Sequence, residues 1–451
     1  MNAAAPRQRA ATAAVLSAMA AVVLDAGMVG VALPTIAAAL GETPARTLAV
    51  VTAYQAALLI ALLPCAHVAQ RFGYRRLFAG GLALFACASI LSAIAPTLGW
   101  LVAARFFQGI GGAAIMSLGI ALLRFALEPE RLGAAIAWNA LTVAICSAAA
   151  PAVGALLLSV ADWPWIFVAA APVAALGLVA ARFLPPVAAT SRSLDLAGIA
   201  FHASAAGFVV VALALAPARP ALAAVLGAVA AASAWRLFAR ERGKAPPLVP
   251  FDLLGLRPFR ASVAASIFFF TAQSAGLLAL PFYLQLGLGR SAAATGLTLA
   301  LWPLAVAATS RAANWLATRF SSASICAAGG LVLAAGLVLG ASWPIQDSIA
   351  PLGACAILCG IGFGLFQVPN NRTMFLSAPA ERSAAAGGMQ ATARLAGQTA
   401  GALLVGFVLS AAPAATAPRL ALAAAAFAAL AAAWIGGAPL RSCGKAGRVR
   451  A

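Results

Sequence analysis

Charge is scarce in this chain. Only 9% of the 451 residues are charged, ten of them acidic, and of the 29 basic residues only Lys244 and Lys445 are lysines. Apolar residues make up 64% of the chain, and the mean hydropathy is +1.00. A soluble domain needs far more charged surface than this, so the composition excludes one and favours a protein that lies in a lipid bilayer.

Groups for catalysis or metal binding are scarce as well. The chain has two histidines, His67 and His202, and seven cysteines, most of which stand in apolar runs and behave there as small apolar residues. Cys355 and Cys359 are one helical turn apart, but no histidine or carboxylate joins them as a metal ligand. No hydrolase, kinase or redox constellation is present. We therefore expect a protein that is not an enzyme and that holds no metal or cofactor.

Fourteen apolar segments follow one another along the chain. Each is about 20 residues or longer, which suits a helix that crosses a bilayer with its backbone hydrogen-bonded internally. The sequence therefore predicts an all-α polytopic membrane protein with 14 transmembrane helices and no room for a soluble domain. The segments are 13–38, 48–69, 77–96, 99–123, 134–159, 164–184, 195–216, 221–239, 261–286, 293–317, 323–343, 349–373, 385–411 and 419–438.

Basic residues are distributed unequally between alternate connections. One side carries only Arg46, Arg219, Arg290 and Arg419, whereas the other side and both termini carry most of the rest. Because basic loops stay in the cytoplasm, we expect both termini to be cytoplasmic. The net charge of +19 is then a topology signal and not a nucleic-acid surface. The preference for arginine over lysine, together with much alanine, suggests a GC-rich bacterial genome and hence a bacterial inner membrane.

Asp25 is the one carboxylate that falls deep within an apolar segment. Placing it there costs roughly 2.5–3.5 kcal/mol on insertion scales, so such residues are usually retained to move protons or substrates. A structural alternative is an aspartate that only hydrogen-bonds a neighbouring helix. Arg105 also lies in an apolar segment, cannot lose its proton, and needs a partner. Asp25 is the natural partner, and extension of the arginine to the interface is the alternative.

Several motifs then give the chain a resemblance to a known family. Leu24-Asp25 with Val31-Ala32-Leu33-Pro34 is similar to a first-helix motif, L-D-x-T-I-V-N-V-A-L-P, in which Gly27 and Gly30 replace threonine and asparagine. The loop 66–76 resembles the signature G-x-L-A-D-R-x-G-R-R, with Gln70 in place of its aspartate. Its matching residues are Arg71, Gly73, Arg75 and Arg76. The chain thus resembles the major facilitator superfamily, specifically its 14-spanning drug:proton antiporter branch.

Further motifs continue the resemblance in the family's order. Residues 105–114 match R-x-x-Q-G-x-G-x-A, and residues 150–155 resemble the antiporter motif through Pro151 and Gly154, where a proline bend and a small residue suit a hinge and close helix contact. Residues 314–320 are a degenerate copy of the signature loop, which indicates an internal duplication. Residues 386–397 resemble the start of the family's thirteenth helix.

The resemblance implies a fold of two six-helix bundles with two extra helices between them. We expect residues 1–190 to form the first bundle, 191–245 the accessory helices 7 and 8, and 246–451 the second bundle. In the family the signature loop belongs to a cytoplasmic charge network that holds the outward-open state, and Gln70 cannot supply the aspartate's charge to it.

The sequence therefore predicts a secondary transporter that exports small, lipophilic organic compounds in exchange for protons, working as a monomer. Asp25 and Arg105 are the candidates for proton coupling. Candidates for the lining of a substrate cavity are Gln108, Gln273, Gln367, Asn370 and Gln390. Because the C-terminal half has no membrane carboxylate, we expect neutral compounds or lipophilic monocations and not dications. The alternatives are a dedicated exporter of one metabolite, such as an amino acid, a siderophore or a natural product, or a membrane sensor.

Overall fold

The computed structural model describes residues 4–187, 194–242, 247–342, 350–379 and 382–437. Within these ranges the regular structure is helical, with no strand, and 14 helical segments are long and apolar enough to cross a membrane. The predicted all-α fold with 14 transmembrane helices is confirmed. The helices are α1 (Ala4–Ala39), α2 (Pro44–Thr47), α3 (Ala49–Phe72), α4 (Tyr74–Ala93), α5 (Leu98–Ala126), α6 (Pro129–Val160), α7 (Pro164–Ala180), α8 (Leu196–Leu215), α9 (Pro220–Glu241), α10 (Arg257–Phe282), α11 (Ala292–Leu316), α12 (Ser322–Ser342), α13 (Ala350–Ser377), α14 (Ser383–Ala411) and α15 (Ala417–Gly436).

Local chemistry accounts for where these helices begin. Proline occupies the first turn of α6, α7, α9, α10 and α15, where its missing N–H is not needed. Thr97 and Ser291 accept hydrogen bonds from the backbone of α5 and α11 as N-caps. Several helices extend beyond the predicted apolar runs; α6, for example, begins at Pro129 and not at 134. Helical hydrogen bonding continues into the interfacial region after the apolar run has ended.

The chain divides into two compact units, Met1–Gly243 and Lys244–Ala451, here called unit 1 and unit 2. In unit 1, α1 packs on α6 and α7, α5 packs on α3 and α4, and α4 packs on α7. α8 and α9 pack on each other, and α8 also contacts α3. The predicted boundaries at 190/191 and 245/246 fall outside the described residues, so the three-part division remains a prediction.

Unit 2 repeats the helix pairing of unit 1. α10 packs on α14 and α15, α13 packs on α11 and α12, and α12 packs on α15. The repeat extends to single contacts: Gly109 of α5 faces the carbonyl of Tyr54 on α3, and Gly360 of α13 faces the carbonyl of Trp302 on α11. Glycine at these positions lets two helices approach through their backbones. This agrees with the internal duplication that residues 314–320 indicate.

Candidate functional site

The one membrane carboxylate found in the sequence lies in a buried ion pair. Asp25 projects from the middle of α1, and its Oδ2 is 2.6 Å from Nη1 of Arg105 on α5. Their side chains are 0% and 1% exposed, so the arginine does not extend to an interface. A pair this deeply buried must be satisfied by further hydrogen bonds, because both ions have lost their hydration.

Gln108 supplies those further hydrogen bonds. Its Nε2 donates to Oδ1 of Asp25 (2.9 Å) and to Oγ of Ser89 on α4 (2.8 Å), and its Oε1 accepts from Nη1 of Arg105 (2.6 Å). Ser89 in turn donates to the carbonyl of Phe85 (2.9 Å). Gln108 reaches the same carboxylate as Arg105 because residues three apart share a helix face. Both carboxylate oxygens are therefore paired, by two side chains of α5.

Aromatic rings close the site on the remaining side. The Arg105 guanidinium carbon lies 4.2 Å from the ring centre of Tyr54 on α3 and 5.5 Å from that of Phe167 on α7. Cation–π contacts of this kind stabilise a desolvated guanidinium. The Tyr54 hydroxyl and Nε of Arg105 are both buried without a hydrogen-bond partner. We call Asp25, Arg105, Gln108, Ser89 and Tyr54 the buried polar cluster.

The α1–α6 contact lies immediately beside Asp25. A Cβ atom on Gly27 would come 2.5 Å from Cβ of Ala150, and one on Gly154 would come 3.0 Å from Cα of Met28. Pro151 stands within α6 next to Ala150. The two predicted hinge residues, Pro151 and Gly154, therefore lie where α6 touches the helix that carries the carboxylate. Gly27 serves close packing there, and the polar support for Asp25 comes from Gln108.

The signature loop lies between α3 and α4. Gly73 has φ +94°, a conformation that L residues rarely adopt, and it ends one helix and starts the next. Arg75 donates from Nη1 to the carbonyl of Leu184 (3.4 Å), while Arg71 and Arg76 are exposed. Within the part of the chain that the structure describes, these three arginines form no salt bridge. A charge network at this loop therefore remains a prediction.

The predicted cavity residues fall in different surroundings. Gln108 is fully buried in the cluster of unit 1. In unit 2, Asn370 is buried and donates to Ser266 Oγ (2.7 Å), whereas Gln367 and Gln390 are partly exposed. Gln273 is also partly exposed, but its Oε1 is buried without a donor. Whether these residues contact substrate remains a prediction.

Sequence reasoning missed Ser89, Tyr54 and Phe167. Serine and aromatic residues are common in membrane helices, so their presence gave no signal for Ser89 or Phe167. Tyr54 offered a weak one, because it is one of only three tyrosines in the chain. Their convergence depends on how α3 and α4 pack on α5 and how α7 packs on α1 and α4, which local sequence patterns do not encode.

The fold and the buried polar cluster define an integral membrane protein of the secondary-transporter class. The chain belongs to the Major Facilitator Superfamily, whose family model matches residues 15–402. The uncharacterized transporter YebQ of Escherichia coli K12 is 40% identical over 395 residues, which cover 86% of each protein. This chain is therefore a polytopic transporter of that superfamily.

Two further relatives carry names that refer to resistance. A putative multidrug resistance protein, MdtD of Klebsiella pneumoniae, is 31% identical over 69% of this chain and 67% of its own length. The tetracenomycin C resistance and export protein of Streptomyces glaucescens is 27% identical over 86% of this chain and 73% of its own length. These similarities support the predicted drug-efflux branch.

A solved structure shows the same fold. The chain is similar to a POT family transporter in complex with a thioalcohol-conjugated peptide, with a TM-score of 0.74 and coverage of 95% of each chain. The identity between the two is 16%, so this likeness concerns the fold alone.

Proposed function

We propose that this chain exports small organic compounds from the cytoplasm in exchange for protons, and that Asp25 and Arg105 couple the two movements. The observation that carries the proposal is the sealed ion pair, in which a single carboxylate in a membrane helix is held by one arginine. Intramembrane carboxylates with a switchable partner are the usual means of proton relay in transporters. The resistance and export named for two relatives supports the outward direction.

The mechanism follows from the charge balance of the cluster. A proton that reaches Asp25 from outside removes its negative charge and leaves Arg105 as an uncompensated cation in a site buried from solvent. Such a charge costs about 3–5 kcal/mol, so the protonated protein favours a conformation in which Arg105 meets water or another partner. Loss of the proton to the cytoplasm restores the pair and the conformation described above. The substrate moves outward between these two states.

Other predicted residues have supporting roles in this proposal. Pro151 and Gly154 form the contact at which α6 moves against α1. The loop with Arg71, Gly73, Arg75 and Arg76 lies at the cytoplasmic surface and holds α3 and α4 together there. The protein works as a monomer in the bacterial inner membrane, with both termini in the cytoplasm, as the basic residues of alternate loops indicate.

The test is proton-driven transport by Asp25→Asn in proteoliposomes under an imposed pH gradient. A panel of lipophilic compounds first identifies one that wild-type protein accumulates. We expect Asp25→Asn to lose uphill accumulation of that compound while exchange of the compound across the membrane at equal pH persists. Asp162→Asn is the matched control, because Asp162 is an exposed aspartate before α7. Uphill accumulation by Asp25→Asn at normal protein levels contradicts the mechanism.

A dedicated exporter of one metabolite is the second candidate. Its support is the relative from Streptomyces glaucescens, which is named for one compound, tetracenomycin C. The same panel separates the two: a dedicated exporter transports one chemical series, whereas a multidrug exporter transports compounds of unrelated scaffolds.

A further inference from the structure

Arg394 is an arginine inside a membrane span whose side chain forms no ion pair with the residues that the structure describes. It lies on α14 within the span Ala385–Ala411. Its Nε is buried without an acceptor, and no hydrogen bond or ion pair with the described residues includes its side chain. The Nε of Arg105 is likewise buried without an acceptor, but Arg105 differs from Arg394 because its Nη1 pairs with Asp25 and Gln108.

Unit 2 holds no described carboxylate that is free to neutralise Arg394. Asp252 is the one acidic residue of unit 2 within the described ranges, and it forms a bidentate pair with Arg382, at 2.9 Å for each contact. Asp252 is in the 3-10 turn that precedes α10, and Arg382 is at the start of α14. An intramembrane cation without a protein counter-ion is expensive, so a compensating negative charge from elsewhere is favoured.

Arg394 is the centre of a polar stripe. Gln390 and Gln398 stand one turn before and one turn after it, and residues four apart share a helix face. All three side chains are partly exposed. A guanidinium and two amides in a row do not face acyl chains at acceptable cost, so this face of α14 meets water or a polar ligand. The two amides provide donors beside the guanidinium.

Aromatic residues lie close to the stripe. α14 packs on α10 through Gly397, where a Cβ atom would come 2.7 Å from Cβ of Phe270. The ring of Phe270 lies 5.8 Å from that of Phe363 on α13. Phe363 is partly exposed, and Gln367 stands one turn further along the same helix. A partly exposed aromatic ring with an amide one turn away is therefore in the same unit as the unpaired guanidinium.

We infer that Arg394 binds the carboxylate of amphipathic organic anions, with Gln390 and Gln398 as additional donors and the partly exposed ring of Phe363 as the contact for the apolar body. This rests on the proposed export function and names its substrate class. It differs from the sequence-based expectation of neutral compounds or lipophilic monocations, which considered only the missing carboxylates of the C-terminal half and not the arginine that remains there.

An anionic substrate changes what drives transport. Exchange of one proton inward for one monovalent anion outward moves two charges in the direction that the membrane potential favours. Exchange for a neutral compound moves one charge, and exchange for a monocation moves none. An anion is thus expelled by the potential even without a pH gradient.

The first experiment measures binding, which does not depend on proton coupling. Three probes share a naphthalene body: 1-naphthylacetate, 1-naphthylacetamide and 2-(1-naphthyl)ethylamine. Binding of each to the purified full-length protein is followed by naphthalene fluorescence. We expect wild-type protein to bind the carboxylate at least 10-fold more tightly than the amide or the amine.

The variants then assign that preference to one side chain. Arg394→Gln is expected to weaken carboxylate binding about 10- to 100-fold, as expected for loss of a hydrogen-bonded charge, and to leave amide binding unchanged. Arg394→Lys retains part of the preference, because it keeps the charge without the planar fork. Arg260→Gln on α10 is the control, since Arg260 is exposed. Unfolding temperatures of all variants report on folding.

Three results overturn the inference. They are absence of carboxylate binding to wild-type protein, equal affinity for the three probes, and an unchanged carboxylate affinity in folded Arg394→Gln. Failure of the proposed function gives a different result: carboxylate binding that depends on Arg394, together with either no uphill transport by wild-type protein or uphill transport that does not depend on Asp25.

Discussion

Gln108 donates a hydrogen bond of 2.9 Å to Asp25, one turn along α5 from the arginine that pairs with the same carboxylate. The two groups of α5 therefore hold both oxygens of Asp25 at once. The contact between α1 and α5 therefore includes one buried charge pair and its supporting hydrogen bonds. The predictions below separate the contributions of charge, hydrogen bonding and close packing to that arrangement.

The charge pair predicts strong coupling in a double-mutant cycle. Arg105→Gln leaves the carboxylate buried without its counter-ion and is expected to lower the free energy of unfolding by about 3–5 kcal/mol. Combining it with Asp25→Asn removes both charges and is expected to recover most of that loss. Thermal unfolding in detergent at neutral pH gives the stability of the wild type, the two single variants and the double variant. Additive effects of the two substitutions would contradict an interacting buried pair.

Gln108→Leu tests the hydrogen bonds that support the pair. It leaves Oδ1 of Asp25 and the Ser89 hydroxyl without their shared donor, and each unsatisfied buried group costs about 1–3 kcal/mol. Ser89→Ala removes a single acceptor, so its effect is expected to be near 1 kcal/mol. Unfolding temperatures measured side by side should rank Gln108→Leu as the less stable. The reverse order would show that Gln108 does not support Asp25.

Two substitutions of Tyr54 distinguish the contribution of its ring from that of its hydroxyl. The hydroxyl has no hydrogen-bond partner in this conformation, so Tyr54→Phe is expected to change the free energy of unfolding by less than about 0.5 kcal/mol. Tyr54→Leu removes the ring beneath Arg105 and is expected to cost about 0.5–2 kcal/mol from the cation–π contact in addition to lost packing. Chemical or thermal unfolding of the two variants measures both values. A large loss in Tyr54→Phe would mean that the hydroxyl is bonded in the resting protein.

Two glycines one turn apart on α1 provide a matched packing test. A methyl group on Gly27 meets Ala150 at 2.5 Å, so Gly27→Ala is expected to destabilise the protein by about 1–3 kcal/mol. Nothing lies within 4 Å of a methyl group on Gly30, and Gly30→Ala is expected to stabilise the helix by up to about 1 kcal/mol. We expect Gly27→Ala to lower the unfolding temperature relative to wild type and Gly30→Ala to raise it. A Gly27→Ala variant as stable as Gly30→Ala would place α6 further from α1 than described.

The sequence predicted the helices well because long apolar runs and scarce charge leave few alternatives in lipid. It also identified Asp25 and Arg105, since charged residues in apolar runs are rare. The sequence did not identify Ser89, Tyr54 and Phe167 as site residues. They lie on three helices that are far apart in the sequence and come together only through tertiary packing. Arg394 lies in the motif of residues 386–397, and the sequence analysis assigned it to that motif without asking which residue neutralises its charge. The structure raises that question because Asp25 pairs with Arg105 whereas no carboxylate of the described residues pairs with Arg394.

The near-zero exposure of the buried polar cluster has a kinetic consequence. A carboxylate sealed from solvent exchanges its proton only during the intervals in which its helices separate. If the proposed proton exchange drives transport, turnover is expected to follow the frequency of opening, on the microsecond-to-millisecond scale of such motions, and not the speed of proton transfer. Transport measured in heavy water is therefore expected to slow little, whereas changes in bilayer thickness or stiffness, which act on helix movement, are expected to alter the rate directly.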